Sequence, residues 1–122
     1  MVASVAITTK NNVWFVPAWR FGVVGDTSWS FTGKHFLCDF KSDPSNDTPE
    51  LSLSSIGSPQ TIFVLDAVNR LLQFAVTDIT LRAAMDPGVY QFDLIMVDDA
   101  TGERTPLLVG ALTVTQGVTI ED

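Results

Sequence analysis

The sequence predicts a mainly β protein, an antiparallel sandwich or barrel of about seven or eight strands with one short helix near residues 79–85. Three observations carry that prediction. Gly88 to Val97 alternates strictly, with Tyr90, Phe92, Leu94 and Met96 on one face and Gln91 and Asp93 on the other, as a half-buried strand requires. Turn signals recur at intervals of about 8–12 residues along the chain. The period changes from two to helical only once, between Asp78 and Met85.

The first twelve residues alternate loosely through Val5 and Ile7 and read as a first strand or an ordered arm, closed by Lys10-Asn11-Asn12. Val13-Trp14-Phe15-Val16 is apolar on both faces. A strand of that kind is either covered on both sides within the monomer or shows one face to a partner. Pro17 cannot donate to a ladder, which places the Val13–Phe21 strand at an edge or breaks it there. Gly22 to Asp26 is turn-rich, and Trp29 and Phe31 lead to Gly33.

His35 to Lys41 reads as a strand with Phe36, Cys38 and Phe40 inward and His35, Asp39 and Lys41 outward. The polar run Ser42 to Pro49 is a loop. Leu51 and Leu53 begin a strand that ends near Gly57-Ser58-Pro59. Thr61–Leu65 and Arg70–Val76 flank Asp66–Asn69 as a hairpin, with Leu72, Phe74 and Val76 on one face. Asp78 to Met85 has a capping Asp or Thr and a Pro87-Gly88 stop, which makes two turns of helix. The last third is a second, longer hairpin, Gly88–Val97 and Glu103–Thr115, around a turn at Asp98–Gly102. A five-residue turn pairs Val97 with Glu103, Phe92 with Leu108 and Tyr90 with Gly110, the last an aromatic ring over a strand glycine. Gly117 to Asp122 frays into solvent or reaches toward a neighbour.

A chain of 122 residues makes one domain on length, residues 1–122, and is long enough to bury a core without staples. Its hydrophobic fraction of 46% argues against disorder and leaves apolar surface to spare for an interface. The formal net charge of −7 opposes binding to nucleic acid or to an anionic membrane surface. Met1 to Thr9 lacks the basic start and apolar core of a signal peptide, which puts synthesis and folding in the cytoplasm. One cysteine, Cys38, permits no internal disulfide.

No constellation reads as catalytic, and no metal or cofactor is implied. His35 and Cys38 stand three apart on a strand, so they point to opposite faces and cannot share a metal. The single histidine has no nucleophile placed by an elbow or triad motif. Asp98, Asp99 and Glu103 lack the spacing of a calcium loop and read as turn residues. Gly22-x-x-Gly25 lacks the lysine and helix of a phosphate loop. Trp14, Phe15, Trp19 and Phe21 form the richest aromatic cluster. They read either as core or as a protein–protein anchor, and they are the candidate interface residues. A rival reading is a small-ligand or carbohydrate-binding sandwich that stacks its ligand on Trp19 or Trp29.

Four blocks together resemble a family. Gly25-Asp-Thr-Ser-Trp-Ser-Phe-Thr-Gly33 resembles a DG-x-P-x-DLTG step, and Phe36–Lys41 resembles the strand that follows it. Asp78 to Leu94 resembles T-x-x-L-x-x-G-x-Y-x-Y-D-L. Thr101-Gly-Glu103 with Leu107–Val114 and Val118-Thr119 resembles G-x-x-x-x-L-L-x-G-x-x-x-V…V-T. The order is similar to that of small immunoglobulin-like β-sandwich domains of phage and prophage tail and baseplate proteins, including baseplate upper proteins, over about residues 13–120. Ser30 stands where the family step carries an acid, its proline is missing, and Lys41 replaces an arginine. The resemblance implies a non-enzymatic structural or assembly protein that self-associates and contacts other tail or baseplate proteins. It also implies a bacterial host cytoplasm during assembly and a virion tail thereafter. In baseplate proteins such a domain often precedes a receptor-facing region, whereas this sequence ends at Asp122, which points to an adaptor or assembly component.

Overall fold

The computed structural model describes residues 3–21, 30–57 and 60–119. The expected turn at Gly22–Asp26, Trp29, the strand end at Ser58-Pro59 and the last three residues lie outside them, as does most of the Gly25–Gly33 block. Within them the chain forms β1 (Ala3–Lys10), β2 (Ala18–Arg20), β3 (Lys34–Lys41), β4 (Leu51–Ser54), β5 (Ile62–Asp66), β6 (Leu71–Phe74), α1 (Asp78–Ala84), β7 (Gly88–Asp98) and β8 (Arg104–Thr115). The strands make a five-stranded sheet in the order β1-β8-β7-β3-β4 and a three-stranded sheet in the order β2-β6-β5. The protein is the β-sandwich its patterning predicts.

The core lies between the two sheets. Phe36 and Phe40 from β3 are fully buried, and the Phe40 ring meets Phe92 at 5.0 Å, Phe15 at 6.1 Å and Phe74 at 6.5 Å. One side chain of the large sheet therefore touches both layers, in the edge-on and tilted geometries aromatic rings prefer. α1 closes one side with Leu81 buried. Its cap is Thr77, whose hydroxyl accepts a hydrogen bond from the Thr80 amide at 3.2 Å, and Arg82 pairs with Asp78 one turn back at 2.9 Å.

The final hairpin forms with the expected faces but a different register. Val97 pairs with Arg104, Phe92 with Gly110 and Tyr90 with Leu112, in place of Val97–Glu103, Phe92–Leu108 and Tyr90–Gly110. Two local causes act. Asp98 joins the ladder through its amide to the Glu103 carbonyl at 2.9 Å, which moves the turn one residue along. A bulge then falls between the pairs Ile95–Pro106 and Leu94–Leu108. It leaves Leu107 as the extra residue, so two consecutive leucines, Leu107 and Leu108, are both buried. The aromatic cover over the strand glycine survives with Phe92 in the part given to Tyr90. A Cβ at Gly110 would sit 3.1 Å from Phe92 Cζ and 2.2 Å from the Val5 carbonyl oxygen.

In the N-terminal third, residues 3–10 realise one of two expected alternatives, and the Val13–Phe21 stretch is broken at Pro17 as expected. Only the parallel pairing of the first strand departs from expectation. Residues 3–10 form a full strand, and it runs parallel to β8, which departs from an all-antiparallel design. The Val13–Phe21 stretch is regular only over β2, preceded by an isolated bridge between Phe15 and Val76. Pro17 accounts for the interruption, since it has no amide to give. β2 is an edge strand, as Pro17 requires. The start of the C-terminal tail is tied down. Asn11 Oδ1 accepts from the Gly117 amide at 2.8 Å, and Asn12 Nδ2 donates to the Thr119 carbonyl at 2.7 Å. Gly117 is packed so closely that a Cβ there would lie 2.0 Å from Asn12 Cγ.

Candidate functional site

The aromatic segment from Trp14 to Phe21 resolves into two faces. Trp14, Val16, Ala18 and Arg20 are exposed, while Phe15, Pro17, Trp19 and Phe21 are buried or half-buried. This is period-two geometry carried through Pro17. Phe15 and Val76 exchange backbone hydrogen bonds of 2.8 and 3.0 Å, the Pro17 carbonyl accepts from the Phe74 amide at 3.0 Å, and the Phe21 amide donates to the Arg70 carbonyl at 3.0 Å. The segment is thus tied to β6 and its flanks along its whole length.

Its inward rings belong to the core. Phe15 is 3% exposed, Trp19 meets Phe74 edge-on at 4.8 Å, and Phe21 packs toward Phe31 at 6.0 Å. Of the four candidate interface residues, Phe15 is therefore a core side chain with no surface to offer, and Trp19 and Phe21 are half-covered. Trp14 stands apart at 59% exposure, between Val13 and Val16, which are exposed at 48% and 45%. An indole presented to water beside two valines is a concentrated apolar surface, and tryptophan is enriched at binding hot spots. Other exposed aliphatics, such as Ile56 and Ile79, lie on different elements.

The remaining candidates take structural roles. Cys38 is buried in the core, and burial first, then the carboxylates of Asp93 and Asp39, hold its thiol well above the usual range. Both its burial and this shift disfavour the thiolate that nucleophilic chemistry needs. His35 lies at the sheet rim and pairs its Nδ1 with Asp99 Oδ1 at 2.5 Å. It points away from Cys38, as the strand period demands. Asp98 organises the turn: its carboxylate pairs with Lys34 and accepts the Ala100 and Thr101 amides at 2.8 and 3.1 Å. The Lys34 hydrogen bond, then those two amides, depress its pKa to about 2. Asp98 and Asp99 are thus each drawn to a basic neighbour. Among the described residues, no three His, Cys, Asp or Glu side chains gather to hold a metal.

One feature eluded the sequence reading. The outer face of the five-stranded sheet carries an open hollow of about 640 Å³ whose lining includes Asp39, Lys41, Ser52, Gln91, Asp93 and Arg104. Asp39 and Asp93 stand opposite one another across β3 and β7, and the Ser52 hydroxyl donates to Asp39 at 2.7 Å. Alternation marks Asp39, Lys41, Gln91 and Asp93 of this lining as outward. It could not show that they line one hollow, because that depends on the strand order. No described tryptophan lines the hollow, and Trp29 lies outside the described residues.

The chain matches no protein-family model and no curated protein.

Proposed function

We propose that this chain is a non-enzymatic structural protein that works by protein–protein contact, with the Val13–Val16 segment as its contact surface. The observation that carries the reading is Trp14, 59% exposed between two exposed valines, on an irregular segment that leads into β2 and whose aromatic residues Phe15, Trp19 and Phe21 pack into or against the core. The backbone bonds and ring contacts of Phe15 through Phe21 hold the chain beside the indole in place, which lowers the backbone ordering cost of a contact there. The four sequence blocks similar to phage tail and baseplate domains supply the setting: assembly in a bacterial host cytoplasm and incorporation into a virion tail.

The ligand-binding alternative draws no support from Trp19, which turns toward the core and lies edge-on to Phe74. The proposal is tested by purifying tail particles from a producing strain and probing them for this chain by mass spectrometry. Presence at a fixed stoichiometry with the major tail proteins is the expected result. Absence from particles that are otherwise complete overturns the tail assignment.

A further inference from the structure

The four strands at the sheet margins are not alike. β2 is three residues long and follows Pro17. β4 is four residues long and its free side is capped at one end, where Ser54 receives the Thr61 amide on its carbonyl at 3.0 Å and donates its own amide to Thr61 Oγ1 at 2.9 Å. β5 is broken by a register shift between Val64 and Asp66. Each carries one of the devices that stop edge-to-edge association. β1 carries none: it runs eight residues with no proline, glycine or carboxylate, and its single charge, Lys10, is at the end.

The backbone of β1 shows which groups are left over. In a parallel ladder a residue sends both its N–H and its C=O to the same neighbour, and the next residue sends both the other way. The Asn11 amide reaches the Thr115 carbonyl at 3.0 Å, one position before its partner in the continued register. Val5, Ile7 and Thr9 therefore bond to β8. Ser4, Ala6, Thr8 and Lys10 aim their amides and carbonyls at the free margin of the sheet, where β1 has no partner strand among the described residues.

We infer that β1 is a self-association edge that pairs antiparallel with β1 of a second copy, about a two-fold axis at Ala6. Three observations select a second copy as the occupant. First, the pairing is self-complementary: Ala6 faces Ala6, and Ser4 faces Thr8 in both directions, which closes about six backbone hydrogen bonds with one set of residues. Second, Val5 and Ile7 are packed against the core but only half-buried, and this register sets the Val5 of one copy beside the Ile7 of the other, which extends both cores across the axis. Third, charge allows it. The first 25 positions hold Lys10 and Arg20 and no carboxylate, leaving five cations against fourteen carboxylates, a formal −9, in the rest of the chain. β1 itself carries no carboxylate, so two copies meet there without opposing acids in the strand, despite the net negative charge of the chain. The inference deepens the assembly reading by naming one partner, and it rests on that reading for its biological purpose alone. The dimer uses a different surface from Trp14.

The test is solution mass by light scattering or sedimentation on the full chain, with Ala6→Pro and Ala6→Glu beside it. The wild type is expected at about 26.6 kDa, twice 13.3 kDa. Ala6→Pro removes an amide that the β1–β8 ladder does not use, so circular dichroism stays unchanged while dimerisation weakens by about tenfold or more. Ala6→Glu changes an exposed side chain and sets two carboxylates across the axis; it decides the matter if the proline variant misfolds. Hydrogen exchange at the Ser4, Ala6 and Thr8 amides should slow as concentration rises. A wild type that stays monomeric at about 100 μM overturns the inference and leaves the Trp14 contact standing. A dimer that persists in Ala6→Glu and in a folded Ala6→Pro overturns it too and moves the interface elsewhere. Trp14→Ala is expected to dimerise normally, so this test and the tail-particle test fail independently.

Discussion

The two sheets of this sandwich are built to different standards. The large sheet rests on an 11-residue and a 12-residue strand joined in one hairpin, with register held by a bulge at Leu107 and by Phe92 over Gly110. The small sheet is made of strands of three, five and four residues, and its first strand is continued toward the N-terminus by the Phe15–Val76 bridge and the Pro17–Phe74 backbone hydrogen bond without regular ladder geometry. Long ladders specify a register and tolerate little change. Short ones depend on their inward rings to stay in place, and they leave the outward side chains free to differ. The large sheet holds the register, and the irregular segment leading into the small sheet is where an exposed tryptophan is carried outside any ladder.

Substitutions can break this contrast in a graded way. Phe74→Ala removes the ring that meets Phe15, Trp19 and Phe40, and it should destabilise by about 3–5 kcal/mol in a urea titration, releasing the small sheet first. Trp19 fluorescence is expected to change before the hairpin unfolds. Gly110→Ala attacks the large sheet by forcing a Cβ toward the Val5 carbonyl, at an expected cost of about 1–3 kcal/mol. Amide exchange should show β1 released from β8 while the β7–β3 ladder persists. Thr77→Ala leaves the Thr80 amide without its cap and should cost about 1 kcal/mol by the same titration.

The turn of the long hairpin should respond to acid in a defined direction. The Asp98 carboxyl is held at about 2 in the folded chain, below the usual carboxylate range. A depressed folded pKa means that its stabilisation is complete above the unfolded value and is lost as pH falls through that value toward about 2. Turn amides at Ala100 and Thr101, followed by NMR, are expected to hold their shifts down to about pH 4 and move below it. In Asp98→Asn that transition should vanish.

Much of this architecture was legible in the chain, and the exceptions share a physical cause. The faces of β3, β6 and β7 follow from alternation, and α1 follows from its cap and its Pro-Gly stop. These are local properties. The hairpin register was missed because it depends on whether Asp98 joins the ladder and on a bulge that lets Leu107 and Leu108 both turn inward. The parallel partner of β1 was missed because that pairing joins residues 105 positions apart, as Ala3 and Leu108 are. At the candidate site, composition pointed to the Trp14–Phe21 segment but could not divide it into inward and outward side chains. Val13–Val16 is apolar on both faces, so Phe15 and Trp14 look alike until the Val76 bridge shows which one faces the core. Pro17 was the local signal that this strand would be an edge.

The central claim is that Trp14 makes a contact and does not hold the fold. The most direct measurement is made on one variant, Trp14→Ala, comparing its unfolding free energy with its incorporation into tail particles beside the wild type. The expected result is a stability within about 0.5 kcal/mol of wild type together with loss of incorporation. Wild-type incorporation of the folded variant would contradict the claim, and so would a large loss of stability, which would return Trp14 to the core.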